Sequence, residues 1–271
     1  MAGNSEININ CDMAESFGAY EIGQDDALLD LVGSANVACG FHAGDPTVMR
    51  NFARKAHAAG ISIGAHPGFL DLQGFGRRQI AMSGDDVETM VSYQIGALQA
   101  LARCAGMSVT HVKAHGALAN MAAVDRAYAD ALSRAVLAVD ARLIHIVLYG
   151  SEMQKSAEDL GLRFAREGYA DRRYADDGNL AARRLEGSVI ACPEAARTQA
   201  VRMARDGEIE TITGKLLTVD IDTICIHGDQ PFAVPVATAV KAGLQDAGIE
   251  VLPLDKMRRF EMPEAKFRVA E

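Results

Sequence analysis

The sequence predicts an α/β protein folded as a single β/α barrel, and three observations lead there. Seven short β-rich runs alternate with longer helical ones, the pattern of βα units on a parallel sheet. Several of these runs set an apolar face against a polar one, and the polar residues gather at the C-terminal ends of the strands. The length of 271 residues and a hydrophobic content of 49% suit one large core, so a single domain over 1–271 is expected.

Strands are expected at 6–12 ("EININCD"), 34–40 ("SANVACG"), 61–66 ("ISIGAH"), 108–115 ("SVTHVKAH"), 142–149 ("RLIHIVLY"), 163–171 ("RFAREGYAD") and 222–229 ("DTICIHGD"). Helix starts are readable between them. Asp45 is placed to cap a helix with Pro46 at its first position, and Ser83 precedes Asp86 by three residues, a variant of the capping box. The helix 46–59 repeats apolar residues at Val48, Phe52, Ala56 and Ala59, which predicts its buried stripe. Segment 172–190 is polar and irregular and reads as a long loop or lid.

A strand sends alternate residues to opposite faces, so Ile7, Ile9 and Cys11 oppose Asn8, Asn10 and Asp12. The same split sets Ile61, Ile63 and Ala65 against Ser62, Gly64 and His66, and Val112 and Ala114 against His111, Lys113 and His115. In the last strand Ile224 and Ile226 oppose Thr223, Cys225, His227 and Asp229. Parallel strands covered by helices on both sides should be apolar on both faces. A closed barrel resolves the conflict: the oily faces meet the helix ring and the polar faces, with Asn36, line a lumen. A lumen of Asn, Asp, His and Lys is expected to be a pocket rather than a packed plug.

A net charge of −9 and a pI near 5.3 leave no clustered basic footprint for nucleic acid. The five cysteines, Cys11, Cys39, Cys104, Cys192 and Cys225, lack CxxC spacing and read as reduced core residues. The start "MAGNSEIN" has neither a basic region nor an apolar run, and no stretch approaches the roughly 18 to 20 apolar residues of a membrane span, so a cytoplasmic location is expected. "TITGKLL" lacks the earlier glycine and the following hydroxyl of a P-loop, and "GFGRRQ" lacks the third glycine of a dinucleotide fingerprint. HExxH and GxSxG are absent.

Active sites of parallel α/β folds lie at strand C-termini. Asp12, His42, Asp45, His66, Lys113, His115, Asp171, His227 and Asp229 all fall there. Four histidines sit beside glycine in "HAGD", "HPG", "HG" and "HGD", where glycine lets the backbone turn sharply against a ligand. His57 reads as a surface residue, His145 as a hydrogen-bonded core residue, and His111 as a deeper neighbour of the site. "HVKAH" on a strand spaces its histidines by about 13 Å, too far for one metal unless the strand breaks.

The phrases "NCDMAESFGAY" (10–20), "SANVACGFHAGDP" (34–46), "GAHPGFLDLQGFGRR" (64–78), "HVKAHGALAN" (111–120), "YADRRY" (169–174) and "CIHGD" (225–229) together resemble the 5-oxoprolinase A-subunit family, also called lactam-utilisation proteins. The resemblance implies a seven-stranded β/α barrel of the glycoside hydrolase and deacetylase type. It also implies ATP-dependent opening of 5-oxo-L-proline to L-glutamate together with two partner subunits. The positions Asp12, His42, Asp45, His66, Arg77, Arg78, Lys113, His115, Asp171, Arg172, His227 and Asp229 fit the motifs. The chain departs from them at Asn8, where an aspartate is common, at Ala14 in place of glycine, and at Ala114 and Ala119 in place of the proline and tyrosine of "KPHGALYN".

Lactam hydrolysis needs an activated water, a stabilised oxyanion and a proton for the leaving nitrogen. The expected catalytic set is Asp12 as water-activating carboxylate or orienter, His42 and His66 as base and acid, Lys113 facing the oxyanion or a phosphoryl oxygen, and His115 beside them. Asn10, Arg77, Arg78, Asp171, Arg172, His227 and Asp229 are expected to bind a small anionic lactam, with forked arginine geometry on its carboxylate. Asp45 is read first as a helix cap. ATP would be handled with the partner subunits. Asp12, His42 and His66 holding a divalent metal is the alternative, as an Asp and two His do in the related deacetylases. Two other readings compete: a stand-alone metal-dependent deacetylase or amidase, and a non-catalytic substrate-binding subunit. Homo-oligomerisation is left open.

Overall fold

β1 (Glu6–Met13) pairs in parallel with β2 (Ser34–Ala38) on one side and with the late strand Thr223–His227 on the other, which closes the sheet on itself. The computed structural model describes residues 5–261; positions 1–4 and 262–271 of the expected domain lie outside the described residues. Around the barrel follow β3 (Ser62–His66), β4 (Val109–Lys113), β5 (Ile144–Leu148) and β6 (Phe164–Tyr169). A short antiparallel hairpin, β7 (Glu208–Glu210) with β8 (Leu216–Thr218), precedes the closing strand β9 (Thr223–His227). Six barrel strands lie within their predicted runs, and β1 extends one residue beyond its run, to Met13. The hairpin is not among them, because three-residue strands carry too little alternation to register. The two-residue β10 (Glu250–Val251) adds to the start of β1.

The helix layer comprises α1 (Asp25–Leu28), α2 (Pro46–Ala59), α3 (Gly84–Cys104), α4 (Gly116–Val124), α5 (Arg126–Val139), α6 (Glu152–Asp159), α7 (Pro193–Val201) and α8 (Ala233–Asp246). Asp45 caps α2 as expected: its carboxylate accepts the Thr47 and Val48 N–H groups at 2.7 and 3.1 Å. Ser83 caps α3, accepting from Asp86 N at 3.2 Å while donating to the Asp86 carboxylate at 2.7 Å. The stripe of α2 differs from the expected one. Met49, Phe52, Ala53 and Ala56 are buried, the i, i+3, i+4, i+7 set that a barrel-facing helix presents, whereas Val48 is half-buried and Ala59 is exposed in the last turn.

The outward faces of the strands, including Ile7, Ile9, Val37, Ile63, Val112 and Ile224, pack against Phe52, Ile95, Leu98, Leu132 and Val240 of the helices in one cluster. The oily-outside reading therefore holds. Cys104 and Cys192, expected in the core, are exposed; Cys104 is the last residue of α3 and Cys192 precedes α7, where neither helix end is covered. His57 is exposed as expected. His145 is fully buried, but both ring nitrogens lack a hydrogen-bond partner among the described residues, contrary to the expected hydrogen-bonded role. It alternates with Ile144 and Ile146, which face the barrel floor, and so shares the outward face of its strand with Val147.

The lumen is filled rather than open, which corrects the expected pocket. Asn8 donates to Ser34 Oγ and to Leu252 O at 2.9 and 2.7 Å and accepts from Thr223 Oγ1 at 2.7 Å. Above it, Asn10 donates to Thr223 Oγ1 at 2.8 Å, and Asn36 donates to Asn10 and Asp12 at 2.7 and 2.9 Å. His111 reaches Asn36 Oδ1 through Nε2 at 3.1 Å, and it fits because a Cβ at Gly64 would lie 2.1 Å from its ring. These side chains satisfy one another, which is why a polar interior is tolerated. Below them, residues 252–260 cross the barrel floor: Leu254, Met257 and Phe260 pack on Ile144, Ile146 and Ala165. The 172–190 segment is irregular, as expected, and is tied down by isolated bridges from Arg172 to Val189 and from Tyr174 to Leu180. Among the described residues no helix is long and apolar enough to cross a membrane.

Candidate active site

The strand register places the polar residues of the upper lumen side by side: Asp12 lies level with His227 across β1 and β9, and Asn36 with Asp12 across β1 and β2. Lys113, at the end of β4, brings its ammonium to Asp12 Oδ1 at 3.0 Å, Glu167 Oε1 at 3.0 Å, Asn10 Oδ1 at 3.2 Å and Cys225 Sγ at 3.0 Å. Burial alone would lower the Lys113 pKa, but Asp12, Cys225 and Glu167 raise it well above the usual lysine value. Burial likewise pushes the Asp12 carboxyl up, and His66 and Lys113 more than offset it, holding the group well below the usual carboxylate range. Lys113 and Asp12 are thus a buried charged pair in which each keeps the other ionised.

Glu167, Tyr169 and Cys225 complete this centre. Cys225 is expected on the lumen face, whereas Glu167 and Tyr169 are not singled out by the sequence reading. The signal for them is present: in β6, Ala165, Glu167 and Tyr169 alternate with Arg166 and Gly168, and the register sets Glu167 and Tyr169 level with Thr223 and Cys225. The Lys113 ammonium lies 5.5 Å from the Tyr169 ring centroid.

A second group lies beside the first. His42 and His115 stack with ring centroids 3.7 Å apart, and His66 stands edge-on to both. His115 Nδ1 is 3.0 Å from His66 Nε2, while His66 Nδ1 meets Lys113 O at 2.7 Å and His115 Nε2 meets Phe75 O at 2.8 Å. Glu15 reaches in to His42 Nε2 at 3.3 Å and to His115 Nδ1 at 3.6 Å. Sequence reasoning missed Glu15, which lies beyond the strand. It turns inward because Ala14, at the position the motif gives to glycine, adopts φ +56°, a left-handed conformation that costs an alanine about 1 kcal/mol. Burial pushes Glu15 well up and His42 well down, and it lowers His115 to about 3. Gly40 and Gly44 flank His42 with φ of +93° and +72°, the sharp bend expected there. At Gly76, with φ +63°, a Cβ would lie 2.7 Å from His42 Cβ and 2.8 Å from His115 Cδ2.

The alternative trio of Asp12, His42 and His66 is not the set that converges. Glu15, His42, His66 and His115 offer donor atoms that all lie within 4.8 Å of one another, and Asp12 groups instead with Cys225 and His227. Asp12 remains 3.4 Å from His66 Nε2, so the two groups touch. His111 and His115 of "HVKAH" belong to different networks, consistent with their expected separation.

On the third side His227 stacks on Tyr169 at 5.6 Å, and Asp171 accepts from its Nδ1 at 2.8 Å and from its backbone N–H at 3.0 Å. Burial raises Asp171, and His227 more than offsets it, so the carboxyl sits below its usual value. Arg77 meets Asp229 at 2.6 Å and lies 5.0 Å over the Phe75 ring with its side chain 40% exposed. Two expected substrate ligands are engaged elsewhere. Arg78 bonds to Asp71 within its own loop, and buried Arg172 donates to Ala181 O at 2.6 Å, fastening the 172–190 segment.

Fold and site together define a β/α-barrel protein with a carboxylate- and histidine-rich centre at the C-terminal rim, where such barrels carry their chemistry. The chain belongs to the LamB/YcsF family, whose model matches residues 7–259. It is 50% identical over 248 residues to the 5-oxoprolinase A-subunit of Rhodopseudomonas palustris (strain BisB18), covering 91% of this chain and 97% of that one. To the second 5-oxoprolinase A-subunit of Bradyrhizobium diazoefficiens it is 49% identical over 251 residues, covering 92% and 98%. The solved lactam utilization protein of Thermus thermophilus superposes with a TM-score of 0.87 at 44% identity, over 91% of this chain and 99% of that one.

Proposed function

We propose that this chain is one component of an ATP-dependent 5-oxoprolinase that opens 5-oxo-L-proline to L-glutamate with two partner subunits. The observation that carries the reading is near-50% identity across nine-tenths of the chain to proteins named as the A-subunit of 5-oxoprolinase. The site supports it with chemistry suited to a small anionic amide. Water adds its oxygen to the lactam carbonyl carbon, the ring C–N bond breaks, the nitrogen takes up a proton, and the carbon becomes a new carboxylate.

Proton transfer is assigned to His227. Asp171 holds its Nδ1–H, so in the neutral ring Nε2 carries the lone pair that accepts a proton from water and returns it to the leaving nitrogen. His66 and His115 suit this step less, because each has one nitrogen committed to a backbone carbonyl and the other facing its neighbour. Asp12 Oδ1 is occupied by Lys113 and Asn36, so the water is oriented by Oδ2, whose one close side-chain neighbour among the described residues is His66 Nε2 at 3.4 Å. Lys113 has three N–H donors and four close acceptors, so it acts by keeping Asp12 ionised rather than by reaching the oxyanion. Arg77, at the mouth, grips the substrate carboxylate. ATP raises the electrophilicity of the amide carbon by transferring its terminal phosphoryl group to the amide oxygen with release of ADP. C–N cleavage then leaves an acyl phosphate that a second water hydrolyses to the carboxylate and inorganic phosphate, and the absence of a P-loop in this sequence agrees with nucleotide handling by the partners.

The test is glutamate formation from 5-oxoproline, measured with and without ATP and the two partners. Product only in the full mixture supports the proposal. Product from the isolated chain without ATP, or none in the full mixture, overturns it.

A further inference from the structure

We infer that Glu15, His42, His66 and His115 form a binding site for one divalent transition-metal ion of the zinc class. Proton counting at two of these rings leads there. A carbonyl oxygen can only accept, so His66 Nδ1, 2.7 Å from Lys113 O, and His115 Nε2, 2.8 Å from Phe75 O, both carry hydrogens. A neutral imidazole has one N–H. His66 Nε2 and His115 Nδ1 therefore present bare lone pairs to each other at 3.0 Å. Something positive must lie between them, either a shared proton or a cation.

The other two donors decide between these. A shared proton would account for the His66–His115 contact alone. It gives no reason for the His42–Glu15 pair, itself hydrogen-bonded from Nε2 to Oε1 at 3.3 Å, to sit against the same point so that all four donor atoms lie inside 4.8 Å. Donors about 2.1 Å from one ion and about 90–109° apart are about 3.0–3.4 Å from each other, and the observed 3.0 and 3.3 Å spacings match. The carbonyls behind His66 and His115 fix ring tautomer and orientation, as the supporting bonds of metal-ligating histidines do. His42 Nδ1 is buried without a partner among the described residues, which leaves Nε2 as the engaged nitrogen of that ring. Three imidazoles and one carboxylate select zinc-class ions over magnesium or calcium, which prefer oxygen. Such an ion would supply Lewis-acid polarisation of a carbonyl or phosphoryl oxygen.

The site does not depend on the lactam reading, since metal content is read without substrate. Tag-free full-length protein is dialysed and analysed for elements, then stripped with chelator and titrated with cobalt(II). The expected result is about one equivalent of metal per chain and the visible d–d bands of low-coordinate cobalt. The bands should be lost in Glu15→Gln and His115→Ala, each checked by circular dichroism, and retained in His57→Ala, a surface change on α2. Parent protein with neither stoichiometric metal nor cobalt bands overturns the inference whatever the variants do, and so do bands that persist in both site variants.

Discussion

Asp171 holds His227 twice, through the ring Nδ1 at 2.8 Å and through the backbone N–H at 3.0 Å, so one carboxylate fixes both the place and the tautomer of the ring. Asp171→Asn keeps the shape and removes the charge. It is expected to lower kcat by roughly 10²–10⁴-fold with the far-ultraviolet spectrum unchanged. Turnover within about threefold of the parent would take His227 off the proton path.

The two neighbouring arginines should separate cleanly. Arg77→Ala removes the exposed guanidinium at the mouth and should raise KM for 5-oxoproline roughly tenfold or more with a smaller change in kcat. Arg78→Ala unties the loop from Asp71, leaves KM near the parent value and speeds proteolytic cleavage around 71–78. Steady-state kinetics with limited proteolysis of both variants checks the pair, and a KM effect confined to Arg78→Ala would reverse the assignment.

His145 is buried with no hydrogen-bond partner for either ring nitrogen among the described residues, and burial lowers its pKa to about 4. The unfolded chain, titrating near 6.5, binds more protons between these values, so this residue's share of stability is full above about pH 6.5 and is lost as pH falls towards 4. His145→Leu is expected to gain about 1–2 kcal/mol at neutral pH and more at pH 5, read as the urea midpoint at both. A loss at both pH values would mean that the ring has a partner.

Asp25 behaves in the opposite sense. Burial raises its carboxyl from 3.8 to about 6 although it accepts the Ala14 N–H. The folded state binds more protons in that window, so stability falls as pH rises through it and the penalty is complete above about pH 6. Asp25→Asn, which keeps an acceptor for Ala14, should stabilise by ~1–3 kcal/mol at pH 8 and change little at pH 4. Equal shifts at both pH values would contradict the titration.

The fold was legible because the chain repeats one pattern: a polar strand face is uneconomical in an open helix-covered sheet, and its recurrence in four strands pointed to a closed barrel. The strand-end histidines and carboxylates were legible for the same reason, since alternation and strand direction put Asp12, His66, Lys113 and His227 at one rim. What the sequence did not reveal depends on three-dimensional reach. Glu15 is aimed by one left-handed residue after the strand, and no periodicity reports that turn. Arg78 and Arg172 look like ligands by type and place, but their fates are set by Asp71 and Ala181, local partners that alternation does not identify. The open lumen was overestimated because residue type gives polarity and not the mutual hydrogen bonding that fills the space.

The seam at β1 has a consequence for how the molecule comes together. Its neighbours β9 and β10 lie at 223–227 and 250–251, more than two hundred residues away in the chain, so the ring cannot shut until nearly all of the protein has been synthesised. Until then the sheet stands open, with Asn8, Asn10 and Asp12 facing water. The same side chains that later carry the interior network are, at that stage, a hydrophilic lining that keeps an unfinished sheet from sticking to others of its kind.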